Sequence, residues 1–179
     1  MTDLVKNLAI GAVSGCLATV PMSWAMEVMH RLLPTRESHP LPPRLITEHV
    51  MRTMGVNREL TDEQKIWLSL AAHLAYGAGV GAMYAPLAHH SESAPLAKGT
   101  LYGTAVWAGS YLGLLPALGI LSSATKHPVR RTALMIAAHL VWGSATGIFV
   151  DMMETRRKRE HFDFLGARRG TPRSEKQHA

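Results

Sequence analysis

The sequence predicts an all-α membrane protein with four transmembrane helices, built as a tandem (2+2) parallel repeat of helical hairpins. Three observations lead there. The 179 residues average 47% hydrophobic and 18% charged, yet 7–26, 66–88, 99–125 and 132–150 contain no Asp, Glu, Lys or Arg. At 1.5 Å per residue each of these runs is long enough to cross ~30 Å of hydrocarbon. Finally, one motif occurs twice: Ala71-Ala72-His73-Leu74 with Gly77 and Gly81, and Ala137-Ala138-His139-Leu140 with Gly143 and Gly147. A soluble enzyme, a nucleic-acid domain and a disulfide-stapled module are excluded, because a soluble helix keeps a charged wet face.

The first span is expected over 7–33, running through Gly11, Gly15 and Pro21 and stopping at Pro34. Met22, Met26 and Met29 have the spacing of a packed helix face. Residues 34–65 form the one long polar loop. Within it Leu41-Pro42-Pro43-Arg44 is extended and then starts a short amphipathic helix. Ile46, Val50, Met51 and Met54 share its apolar face, laid on the membrane or on the bundle, and Gly55 ends it. Thr61-Asp62-Glu63-Gln64 has the capping-box pattern and opens the second span, 66–88. The third span, 99–125, is joined to the fourth, 132–153, by a tight turn through Lys126-His127-Pro128. The remainder, 154–179, is read as a basic, disordered tail.

The net charge is +6. Eight of the 19 Lys and Arg residues follow the last run, starting with Arg156-Arg157-Lys158-Arg159. Such a cluster next to a span is a lipid signal, so the partners expected are the bilayer and anionic lipid, with no nucleic acid. Homo- or hetero-oligomers in the membrane stay open. The single Cys16 lies inside the first run and reads as a packing residue. An even number of spans puts both termini on one side, and the basic cluster places that side in the cytoplasm of a bacterial inner membrane.

In the duplicated motif an aromatic, Tyr76 or Trp142, precedes the first glycine, and Gly11/Gly15 and Gly99/Gly103 open the first and third spans alike. Small residues four apart let helix backbones approach closely, so Gly11, Gly15, Gly77, Gly81, Gly99, Gly103, Gly143 and Gly147 are expected to be packing surfaces. Glu27, His73 and His139 fall at similar depth below one face if the first helix reaches Leu33. Ionisable groups at that depth face the bundle interior and find partners. Three readings compete: histidines that hold the repeats in register, a proton-responsive pair sharing a proton with Glu27, or two axial ligands of one b-type haem. No metal is otherwise expected, and no cofactor beyond that haem alternative. A small channel or transporter subunit is a further alternative. No catalytic motif is present, and the chain is expected not to be an enzyme.

Leu41-Pro42-Pro43-Arg44 and His139-Leu140-Val141-Trp142, followed by the 156–159 basic cluster, resemble the YagU-like family of small bacterial inner-membrane proteins. That resemblance implies an integral inner-membrane protein linked to acid tolerance, without assigned catalytic residues.

Overall fold

The computed structural model describes residues 3–34, 41–55, 60–88 and 93–169. Among them every regular element is helical. The long helices are α1 (Asp3–Arg31), α3 (Asp62–Ala88) and α6 (Val129–Arg169), and α2 (Pro42–Thr53) is short. Helix α4 (Pro95–Ala108) passes into a π-helical segment, Gly109–Leu114, and then into a last turn, α5 (Leu115–Ala117). Three helices are long and apolar enough to cross a membrane: Asp3–Arg31, Asp62–Ala88 and Val129–Glu160. Their outer faces are apolar as well. Val20, Trp24, Met83 and Leu87 are all exposed, as lipid-facing side chains must be.

The local signals are visible at the helix ends. Thr61 Oγ1 accepts the Gln64 backbone N–H at 3.2 Å, and Gln64 Oε1 accepts that of Thr61 at 3.1 Å, a complete capping box on α3. Leu41 is extended, with φ −64° and ψ 148°, and Pro42 begins α2. Gly55, at φ +70°, follows α2 in the left-handed conformation that costs glycine nothing.

Two expectations need correction. The third span does not run as helix from 99 to 125. It starts earlier, at Pro95, and ends at Ala117, where Gly119 (φ +65°) donates its N–H back to the Pro116 carbonyl at 3.0 Å. The chain then reaches α6 through a 3₁₀ turn, Ala124–Lys126. Nor is 154–169 irregular: α6 continues to Arg169, because Glu, Arg and Lys are good helix formers and no proline interrupts them. Arg157 ties that extension to α1, donating to Asn7 Oδ1 at 3.3 Å and Asp3 Oδ1 at 3.5 Å. The expected tail beyond Arg169, like His89-His90, lies outside the described residues.

Glycines set the packing. A Cβ on Gly15 would collide with the Gly77 carbonyl and stand 2.7 Å from the Gly81 Cα, and Gly11 faces Gly81 in the same way. On the other side Gly103 and Gly99 meet Gly143, and Gly99 also meets Gly147. The order is reversed along the partner each time, so both pairs, α1 with α3 and α4 with α6, are antiparallel. α1 also packs on α6, forming the centre of the bundle, while α3 and α4 barely touch. Trp142 knits the centre together by donating its indole N–H to the Gly15 carbonyl at 3.0 Å. The buried core lies here: Ala18, Met22 and Met26 from α1 against Leu134, Met135, Ala138 and Trp142 from α6, with Tyr111 and Leu115 beside them.

Candidate functional site

The core is not filled. Between α1, α3, the π-helical segment and α6 there is a chamber of about 340 Å³, within the size range of small-ligand pockets. Helix α2 closes one end with Pro42, Pro43, Ile46, Thr47 and Val50. Its apolar face therefore covers the chamber at Ile46 and Val50, while Met54 is 74% exposed. α2 is held in place by Arg44, whose Nε donates to Glu48 Oε1 at 3.0 Å and whose Nη2 donates to Asp62 Oδ1 at 3.2 Å. The hydrogen bond to Glu48 raises the Arg44 pKa above its ordinary value; desolvation opposes it, and the charges of Glu48 and Asp62 with the hydrogen bond to Asp62 add to the rise.

His73 and His139 both line the chamber. Each comes from one copy of the duplicated motif, and the neighbouring glycines, seated against α1 and α4, fix the rotation of its helix. His139 is buried, and its Nδ1 lies 2.8 Å from the Met135 carbonyl oxygen. A carbonyl only accepts, so Nδ1 carries the hydrogen and Nε2 is left for the chamber. The Tyr111 ring meets the imidazole edge-on, with centroids 5.7 Å apart. His73 is half-buried, with Nδ1 3.2 Å from Ser23 Oγ. Among the described residues lining the chamber there is no Asp, Glu, Lys or Arg.

Glu27 does not join them. It is exposed on the outside of α1 and accepts a hydrogen bond from Arg31 Nε at 2.9 Å, one helical turn on. His73 pairs with Ser23, one helical turn away from Glu27, whose side chain is exposed and satisfied locally by Arg31. The eight glycines form the two helix seams already described. Among the described residues, no three His, Cys, Asp or Glu side chains are grouped to hold a metal ion.

The sequence reading missed the rest of the wall. Tyr111 and Ser110 belong to the π-helical segment, and such segments recur at functional sites. Tyr76 hydroxyl and Ser110 hydroxyl lie 3.0 Å apart, bridging α3 to that segment. Tyr102 bridges the same two hairpins by donating to the Val80 carbonyl at 2.8 Å. The duplicated aromatics thus reach across between hairpins, Tyr76 to Ser110 and Trp142 to Gly15.

The comparison with protein families gives one match: Protein of unknown function (DUF1440), over residues 18–148. The chain belongs to this family. The matched region of this DUF1440 chain takes in both histidines, all of α2 and the whole chamber wall. No curated protein and no solved structure matches it.

Proposed function

We propose that this DUF1440 chain is a four-span protein of the bacterial inner membrane that responds to acid through His73 and His139. It acts as an envelope or acid-stress component rather than as a catalyst. The observation that carries this reading is that two imidazoles from different hairpins share one chamber with no charged side chain among the described residues of its lining. Imidazole is the side chain whose intrinsic titration falls near neutral pH. The groups facing the pair are the Tyr111 and Tyr76 rings, the Ser23 hydroxyl and the Met135 carbonyl, none of which supplies a compensating negative charge near neutral pH. Two imidazolium ions in that space would repel each other with no counter-charge in the described lining, and the repulsion would loosen the packing of the two hairpins. The resemblance to YagU-like proteins supplies the link to acid tolerance.

The run from Pro95 to Ala117 supports a fourth crossing, and the matching glycine seams support a tandem duplication. Both termini are then cytoplasmic, with the exposed Arg156–Arg159 stretch of α6 against anionic lipid. The test is cross-linking between α3 and α6 through cysteines placed outside the chamber, followed from about pH 7.5 to about pH 4.5 across the imidazole range. Cross-linking should change with acidification in the parent and not in His73→Gln or His139→Gln. A flat parent response removes the reading.

One observation favours a second reading, the bis-histidine haem. Both Nδ1 atoms are anchored by hydrogen bonds, as in metal-ligating histidines. His73 and His139 would hold the group, which would supply one-electron chemistry. Among the described residues the lining has no cation to meet its propionates, so the proton reading is preferred. A Soret band in protein from haem-replete cells, lost in either histidine variant, would reverse that preference.

A further inference from the structure

We propose that the chamber binds an uncharged, hydroxyl-headed ring compound of the quinol class, admitted sideways from the bilayer between α3 and the π-helical segment. This rests on the chamber itself and holds whether or not the histidines titrate in the physiological range.

The lining sets the class of ligand. A charged headgroup would lie unpaired there, which is costly, so the occupant is neutral. The two imidazoles then select its polar group. With Nδ1–H of His139 given to the Met135 carbonyl, Nε2 of the neutral ring has only a lone pair to offer and needs a donor. His73 is less constrained. Where its Nδ1 partner, the Ser23 hydroxyl, donates, Nε2 carries the hydrogen and donates; where Ser23 accepts, Nε2 accepts. A hydroxyl donates to His139 while remaining an acceptor for His73. A quinone carbonyl cannot serve His139 at all. Around this polar point Trp142, Tyr111, Met22 and Met26 give rings and thioethers, the surroundings that suit a flat aromatic head.

Access follows from the helix arrangement. α3 and α4 barely touch, and Ala72 and Tyr76 line the chamber although both are exposed on the outside of α3. The Tyr76–Ser110 hydroxyl pair spans that side, so parting one hydrogen bond opens a way to the lipid. A tail on the ring would remain outside, among the acyl chains. Only binding is proposed, with no electron transfer.

The experiment uses the full chain in detergent near neutral pH, with heats of binding corrected against empty micelles. Decyl hydroquinone, its quinone and its dimethyl ether are titrated in parallel. The expected result is saturable one-to-one binding of the hydroquinone, with the ether and the quinone each at least tenfold weaker. Ala72→Trp, at an exposed position on the wall, should abolish binding without disturbing the core. His139→Leu should reduce the hydroquinone to the level of the ether. Equal affinity for hydroquinone and ether would mean simple apolar filling and would overturn the proposal. So would hydroquinone binding that survives Ala72→Trp. Intact, selective binding together with a flat cross-linking response would remove the acid-response reading alone.

Discussion

Adding one methyl group at Gly15 should separate α1 from α3, and adding one at Gly79 should not. A Cβ at Gly15 would stand 2.7 Å from the Gly81 Cα and closer still to the Gly77 carbonyl, whereas ordinary contact begins at 3.4 Å. Both obstacles are backbone, so no side chain can swing away and the helices themselves must part by about 1 Å. On a dispersion potential a gap of ~0.5–1 Å forfeits a quarter to a half of each contact well, and the loss is repeated along the seam at Gly11 and Gly81. Overpacking of this kind typically costs about 1–3 kcal/mol. Against it stands the helix preference of alanine over glycine, up to ~1 kcal/mol. The net expectation for Gly15→Ala is destabilisation by about 1–2 kcal/mol. Gly79 has nothing within 4 Å of its would-be Cβ, so Gly79→Ala keeps only the propensity gain and should be neutral or slightly stabilising. Gly103→Ala should behave like Gly15→Ala, since its Cβ would meet the His139 carbonyl and the Gly143 Cα at 3.0 Å. The assay is reversible unfolding in mixed micelles of increasing dodecyl sulfate, followed by tryptophan fluorescence. If Gly15→Ala proves as stable as Gly79→Ala, the close backbone seam is not what holds the first hairpin together.

Two other perturbations test the parts around that seam. Trp142→Phe removes the indole donor from the Gly15 carbonyl, which keeps the Thr19 hydroxyl at 2.8 Å. The same unfolding assay should therefore show a loss of about 0.5–1.5 kcal/mol, towards the lower end, and an unchanged midpoint would mean that the bond contributes nothing. The Arg44 clasp should depend on salt and, from neutral to mildly alkaline conditions, not on pH. Its raised pKa means that its contribution is complete below the unfolded value and fades only as pH rises through the folded one, in strong alkali. Amide protection factors in α2 should fall with ionic strength and in Arg44→Gln, yet stay level through mildly alkaline pH. A fall there would point to another group.

What could be read from the sequence was whatever repeats or caps. The charge-free runs gave the long helices, and Thr61 to Gln64 marked the start of α3 because both reciprocal capping groups are local. The glycines were legible for the same reason: spacing of four puts small residues on one stripe, and two such stripes have a natural partner. Rotation about a helix axis was not legible. Depth placed Glu27 beside the histidines, but only the packing of Met22 and Met26 shows which side of α1 faces inward. The π-helical segment carries no charge, proline or capping signal between Gly109 and Leu114, so nothing in composition distinguished it from the α-helix before it. The chamber needs that segment, α2 and both histidines together. No stretch of sequence contains it.

The position of α6 also fixes the order in which the protein can be completed. Its partners are α1 and α4, so a helix made after both hairpins have begun is one of the two at the centre. The first hairpin can pair along its glycines as soon as α3 is inserted. Until α6 arrives, however, the Gly15 carbonyl lacks its indole donor, and Ala18, Met22 and Met26 face lipid. Lipid tails are as apolar as these side chains, so waiting costs the half-made bundle little, unlike an open core in water. A chain truncated before Val129 would keep its first hairpin and have no His139 wall. Formation of the chamber is thus a closing event, made when α6 joins α1 and α4.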